Sequence, residues 1–559
     1  MKVKIYVLAA CLMLILTALF GLLYSFFTSD HSPQAQNSPP HLIPNTDVNP
    51  FGANFFLDRE VEEWKREKTV RMASEAGIGW AKQQFRWAEI EPQRKSEFVD
   101  PLSKESSWKK YDSIVELCEK YGLQIIARLD RPPIWAHGDT LHPERPPLNF
   151  EDYGDFVYVF VERYKGRVKY IQIWNEPNIY PEWGNRPVDP EEYVELLKIA
   201  YLRAKEADPN VYVLSAPLAI TLGEPATEPG RWRSMNDLEF LEKMYQAGAK
   251  DYFDILSANA FGMDSPPDAP PDPKVLNFSR VLLQRQIMEK YGDEDKPIWF
   301  NEYGWNAAPS DFPEEKLIWK RVDEELQARY TLLGIEMARR EWPWAGVFNI
   351  WYFRHVGDLS PDSADYYFRM VDVDFTPRRV YYAVKDSVVA MGEAGPGFFQ
   401  ETNPAVSIGK GWEDIIEPHA SAKSCIISDL DGASLTFTFR GDSVSLLTQR
   451  SPQAGRLYVT LDGHVVDGLE RDEEGRSYID LRAPSPQWQV EMPLVRGGGN
   501  GRHVLRLTVG GEGGKTAPCV VDGFRVEAAP PPPFPYLPLS TLTFGAAVVA
   551  IWLYLEIRR

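Results

Sequence analysis

Two acids occupy matching contexts in this chain. "YIQIWNEPNIY" carries Asn175-Glu176 at the end of an apolar run, and "KPIWFNEYGW" carries Asn301-Glu302 at the end of another. A single glutamate at a strand end is ordinarily solvated or salt-bridged. Two at equivalent strand ends are different, because both then point into one cleft. Paired carboxyl groups flanking a bond are what glycoside hydrolysis requires: one protonates the departing oxygen while the other attacks the anomeric carbon or activates water.

Such a pair needs a framework that delivers both strand ends to the same place. Between Phe51 and Met391, short apolar runs of strand length alternate with longer amphipathic segments, the pattern of repeated βα units. Strands are predicted at Phe51 to Leu57, Trp80 to Phe85, Gln124 to Leu129, Tyr170 to Trp174, Tyr212 to Ala216, Ile255 to Asn259, Ile298 to Asn301 and Val347 to Trp351. Helices are predicted over Glu60 to Ala76, Tyr193 to Ala207 and Val322 to Arg339. Eight units over about 340 residues suit an α/β fold of the (β/α)8 TIM-barrel type, whose reacting groups sit at the C-terminal strand ends. The alternative, a doubly wound sheet, lacks a glycine-rich phosphate turn after its first strand. From Ala394 the helical period disappears. Alternating stretches such as "SLTFTFRGDSVSLLT", broken by Gly and Asp turns, predict an antiparallel β-sandwich.

The two acidic motifs carry a resemblance. The segment from Phe51 to Met391 resembles clan A of the glycoside hydrolases, and "WNEPN" is similar to its family 39 and family 5 members. The resemblance implies a (β/α)8 barrel and retention of anomeric configuration by double displacement. It implies Glu302 as nucleophile and Glu176 as general acid and then base. In the same way it implies that Arg86, in "QFRWAEIEP", hydrogen-bonds the nucleophile, that Asn175 contacts the sugar 2-hydroxyl, and that Trp351, in "FNIWYF", floors the reacting sugar. The acid role further requires Glu176 to hold its proton near neutral pH. Plainer alternatives stand beside these: Arg86 bridging to Glu89 or Glu91, and Trp351 packing in the barrel. Trp87, Trp135, Trp183 and Trp305 would line subsites or fill the core. One position departs from the clan. Where many members carry a tyrosine that supports the nucleophile, "SANAFGMD" supplies Asn259 and Phe261, so either another group, Tyr303 or Asn259, supports Glu302 or the nucleophile is tuned differently here.

The remaining features bound location and partners. A net charge of −19 argues against a nucleic-acid surface, which needs clustered Lys and Arg. Ile5 to Phe27 is uncharged over 23 residues, long enough to cross about 30 Å of hydrocarbon. No convincing small-residue cleavage site follows, which favours an uncleaved anchor over a signal peptide. "LAAC" at Leu8 to Cys11 looks like a lipobox, but the apolar run continues past it. Leu537 to Leu555 forms a second span. Lys2 and Lys4 at one end and Arg558 and Arg559 at the other place both termini in the cytoplasm and the folded part outside. The expected order is a cytoplasmic N-terminus (1–4), an anchor (5–27), a linker (28–50), the catalytic barrel (51–391), the sandwich (394–529), a Pro-rich linker (530–536), a second transmembrane helix (537–555) and a cytoplasmic tail (556–559).

Cys118 lies on a helical apolar stripe and reads as a core thiol, while Cys425 and Cys519, in one domain, form either a disulfide or two thiols. No CxxC or HExxH spacing marks a metal site, and no cofactor is expected. His137, Asp139, His142 and Glu144 read as a solvated loop. The expected partners are a carbohydrate substrate and the bilayer. The leading function is a retaining hydrolase of β-linked glycans. A catalytically inactive carbohydrate-binding or adhesion protein and a transglycosylase are the alternatives.

Overall fold

The computed structural model describes residues 2–28, 42–224, 233–357, 359–388, 391–511, 516–529 and 536–558. Most of the two expected linkers, and Arg559 of the tail, lie outside these residues. Eight parallel strands form one sheet: β1 (Phe51–Phe55), β2 (Trp80–Arg86), β3 (Gln124–Asp130), β4 (Tyr170–Ile173), β5 (Tyr212–Leu214), β6 (Leu256–Phe261), β7 (Ile298–Gly304) and β8 (Ala345–Ile350). Neighbours run in the order β5-β4-β3-β2-β1-β8-β7-β6, and a parallel bridge from Leu214 to Ile255 joins β5 to the β6 side, so the sheet closes on itself. β1, β4, β6, β7 and β8 are buried along their whole length, as expected where side chains fill the barrel and helices cover its outside.

The helices form for local reasons. Helix Lys109–Lys120 buries Tyr111, Ile114, Val115 and Cys118, a stripe at helical spacing. Asp189 caps the helix Pro190–Ala207 by accepting from the amides of Glu191 and Glu192, with Pro190 in the first turn where its missing N–H costs nothing. Asp323 caps Glu324–Glu341 through the amide of Leu326. β7 continues through Gly304, so Asn301 and Glu302 lie within the strand instead of just past it. Register shifts at Ala258/Asn259 and Phe300/Tyr303 bracket this stretch and re-aim its side chains.

The C-terminal strands form three antiparallel sheets of seven, four and three strands. Ser434–Arg440 shows the alternation that builds them: Leu435, Phe437 and Phe439 are buried, and Phe437 stacks on Phe524 at 4.4 Å. Cys425 and Cys519 are free thiols, which rules out the disulfide alternative. They lie on paired strands, but Cys519 stands opposite Ser428, three residues from Cys425. At about 3.3 Å per residue that offset of roughly 10 Å exceeds what a disulfide spans.

The sandwich docks on the N-terminal end of the barrel. Asp47 accepts from Gln400 N (2.8 Å) and Asn403 Nδ2 (2.7 Å), and its carbonyl accepts from Thr402 Oγ1 (2.9 Å). Lys169 pairs with Asp414, and the amide of Ile416 donates to Asn210 Oδ1 (3.2 Å). At the chain ends, Lys2–Thr28 and Tyr536–Arg558 are helices long and apolar enough to cross a membrane. They pack together with Lys4 Nζ 4.0 Å from Glu556 Oε1, so the two run antiparallel.

Candidate active site

The exit of β4 answers why an apolar strand ends on Trp174-Asn175-Glu176. After Ile173 the backbone turns sharply, with Trp174 at φ 73° and Glu176 at φ 39°, both in the left-handed region that L side chains rarely adopt. Such positions cost about 1–3 kcal/mol each and persist only where the surroundings hold them. Here Trp174 Nε1 donates to the Glu182 carbonyl (2.8 Å), Gln172 Nε2 to the Trp174 carbonyl (2.8 Å), and Glu176 N to the Pro217 carbonyl (3.0 Å). The turn puts Asn175 and Glu176 on the wall of one cleft of about 550 Å³ at the C-terminal strand ends.

Glu302 lines the same cleft, and the two acids interact electrostatically. Burial pushes the Glu176 carboxyl well above the usual carboxylate range. The charges of Glu302 and Glu182 push the same way, while Asn259 and Lys82 oppose them in part. Asn259 Nδ2 donates to Glu176 Oε1 at 2.5 Å, and its own carbonyl accepts from Asn301 Nδ2 at 2.8 Å. Asn54 Nδ2 continues the chain to the Asn301 carbonyl at 3.0 Å. Asn259 therefore serves Glu176 and not Glu302, and Tyr303 turns outward to the Thr331 carbonyl (2.7 Å), so neither supports Glu302, which leaves the alternative of a differently tuned nucleophile. Phe261 lines the cleft beside Trp319, with centroids 5.5 Å apart.

The cation at Glu302 is Lys82. Its Nζ lies 3.6 Å from Glu302 Oε1, and both side chains are buried. Burial lowers the lysine to about 8, with the Arg128 charge adding to the effect and Glu302 opposing it. Arg86, expected beside the nucleophile, pairs instead with Asp58 (3.3 Å) and Glu89 (3.6 Å) and donates to Gln84 Oε1 (3.1 Å). It stands four residues further along β2 than Lys82, at the very end of the strand, where Asp58 of the loop after β1 and Glu89 of the helical turn Trp87–Ile90 reach it first.

Asn175 is buried in the cleft wall, and its Oδ1 has no hydrogen-bond partner among the described residues. Trp351 lies just past β8, half-buried on the same wall with its edge to Phe56 (5.9 Å, 81°). Trp87, Trp183 and Trp305 are fully buried, and Trp135 donates to the Glu91 carbonyl (2.8 Å). All four belong to the packing around the barrel.

Three contributors were missed in the sequence. Lys82 and Arg128 are cations in mid-strand positions of β2 and β3, where a barrel strand ordinarily carries buried apolar residues, and that placement was the available signal. Asp365 carried none, because the 3-10 turn Ala364–Phe368 that bears it is folded over the cleft from beyond β8. Burial raises its carboxyl to about 6, with the Glu302 charge adding to it and the Trp351 indole opposing. Among the described residues, no group of three or more His, Cys, Asp or Glu side chains is placed to hold a metal ion.

No family model matches this chain, and no curated protein does. Among solved structures, it is similar to a family 39 glycoside hydrolase from the gut symbiont Bacteroides cellulosilyticus WH2, at 18% identity over 84% of this chain and 82% of that one, with a TM-score of 0.45. A monomeric beta-xylosidase from Caulobacter crescentus CB15 matches at 13% identity over 85% of this chain and 98% of that one, TM-score 0.43. The GH39 enzyme from Xanthomonas axonopodis pv. citri matches at 12% identity over 83% and 96%, TM-score 0.45. Likeness at this level leaves function to be read from the cleft itself.

Proposed function

We propose that this chain is a membrane-anchored retaining glycoside hydrolase that cleaves β-linked oligo- or polysaccharides outside the cytoplasm. The observation that carries the reading is the pairing, in one cleft, of Glu176, whose carboxyl burial pushes well above the usual range, with Glu302, which has Lys82 Nζ 3.6 Å away. An acid and a carboxylate with different environments are the two groups a double displacement needs.

In the first step Glu302 attacks the anomeric carbon while Glu176 gives its proton to the departing glycosidic oxygen. The bond to the aglycone breaks and a glycosyl ester to Glu302 forms. In the second step Glu176, now the base, takes a proton from water as the water oxygen attacks the same carbon, and Glu302 leaves as carboxylate. Lys82 meets that returning charge. Asn175 offers its unpartnered Oδ1 to a sugar hydroxyl, and Trp351 supplies a flat apolar surface for the C–H face of the ring. The antiparallel terminal helices would hold both ends in the bilayer, with the barrel and sandwich on the opposite side from the chain termini.

Leaving-group dependence tests the acid role. Glu176→Ala should slow aryl glycosides with poor leaving groups far more than activated ones, because only the former need protonation. Equal losses on both would remove Glu176 from that role.

A further inference from the structure

A second cavity, of about 460 Å³, lies at the opposite end of the barrel from the cleft, where the sandwich meets the N-terminal ends of β3, β4 and β5. Gln124, Tyr170 and Tyr212 form its barrel wall, and Glu401, Trp412 and Ile415 its sandwich wall. Junctions between domains are favoured places for ligand pockets, and this volume falls in their usual range of about 300–1,000 Å³.

Its polar groups are left incomplete. Glu401 is 2% exposed; Ser424 Oγ donates to its Oε1 (3.0 Å), while Oε2 has no partner among the described residues. The Trp412 indole Nε1 is likewise buried without a partner. Leaving such atoms unmet costs about 1–3 kcal/mol each, which a ligand with matching polar groups would recover. The cations nearby are engaged, Lys169 with Asp414 and Lys165 with the Ala207 carbonyl (2.9 Å).

The chemistry of the two atoms selects the ligand. The indole N–H only donates, so it needs an acceptor, which an ammonium cannot supply. An anion would accept from it but would meet Glu401, Glu413, Asp414 and Asp208 around the same cavity. Burial holds the Glu401 carboxyl well above the usual range, and the Asp522 and Asp47 charges add to this, so a neutral partner fits it best. A hydroxyl both donates and accepts. Tyr212 and Ile415 add apolar wall for a ring. We propose that the junction is a second, non-catalytic site for a neutral sugar, held by Glu401 and Trp412. Tyr170 opens β4 and Glu176 lies past its other end, beyond about 10 Å of extended strand and the turn that follows, so a sugar bound here does not touch the reacting groups. Its role is to hold a glycan on the protein while another part is processed.

The test is titration calorimetry of the full chain in lipid nanodiscs, free of sugar detergents, with methyl β-D-xylopyranoside, methyl β-D-glucopyranoside and methyl β-D-galactopyranoside. At least one should bind saturably, with unchanged affinity at this site in Glu302→Gln. Trp412→Phe, which keeps the ring and loses the N–H, should weaken that binding about tenfold, as should Glu401→Met, which keeps the bulk and loses the carboxyl, whereas Glu401→Gln, which keeps an acceptor and a donor, should bind nearly as the wild type. Thermal unfolding of each variant establishes that it is folded. A transition abolished by Glu302→Gln and untouched by Trp412→Phe belongs to the cleft. If that is the only binding seen, or if no probe binds, the junction holds only water and the proposal falls.

Discussion

Lys82 should trade stability for activity. Its side chain is 3% exposed, and the site lowers its pKa from 10.5 to about 8. The folded chain therefore releases this proton near 8 and the unfolded chain near 10.5. Between those values the unfolded state binds more protons, so this contribution to stability rises with pH there, and below 8 the full penalty is present. At 1.36 kcal/mol for each tenfold change in proton affinity, keeping the buried ammonium charged at pH 7 costs the fold about 3 kcal/mol. Lys82→Met removes that cost. It also removes the cation 3.6 Å from Glu302, whose attraction is about 5 kcal/mol at an effective dielectric constant of about 20, which sets a ceiling of about three powers of ten in rate. The variant should melt roughly 3–6 °C higher at pH 7. Its kcat/KM should fall about 10²- to 10³-fold, and covalent intermediate should accumulate, because Glu302 would leave without a counter-charge. The wild type should lose activity above about 8, and Lys82→Arg, charged at every accessible pH, should move that loss upward. Thermal unfolding and pH-dependent kcat/KM on an aryl glycoside measure all of this. A variant that is several kcal/mol less stable, or one with wild-type kcat/KM, would refute the reasoning.

Other substitutions read neighbouring parts of the cleft. Asp365 titrates near 3.8 unfolded and about 6 folded, so stability falls as pH rises through that window; Asp365→Asn should gain up to about 3 kcal/mol above pH 6 and nothing below 3.8, as denaturant unfolding at pH 3.5 and 7 would measure. Asn259→Ala removes the amide whose hydrogen bond lowers the Glu176 pKa, so the carboxyl should hold its proton to still higher pH. In a Lys82→Arg background, where the lysine no longer sets the alkaline limb of kcat/KM, that limb should then move upward, and one that stays put or moves down would argue against this contact.

The parts of the fold legible in sequence were those set by periodicity. The eight barrel strands were found because β1 to β8 are short apolar runs bounded by turns, and "SLTFTFR" announced a sheet by its alternation. The pairing of Glu176 with Glu302 was legible because equivalent strand ends meet at one face of a barrel. What surrounds them was less so. Which cation reaches Glu302 depends on depth along β2: Lys82 and Arg86 have the same parity, and only the packing decides that the deeper one faces the carboxylate. Asn259 could be placed near the acids but not assigned to one, since a register shift at Ala258/Asn259 sets its aim. Asp365 was invisible because a loop carries it across from beyond β8. The Cys425 and Cys519 pairing failed on register, which composition does not report.

The central claim is that Glu302 attacks the sugar. Incubation of the protein with activated 2-fluoro-β-glycosides, followed by peptide mass spectrometry, tests this most directly, since the fluorine slows departure of the covalent intermediate. The account predicts time-dependent inactivation with one sugar attached to the peptide containing Asn301-Glu302-Tyr303, and no labelling of Glu302→Gln. Attachment to Glu176, Asp365 or any other residue would contradict it.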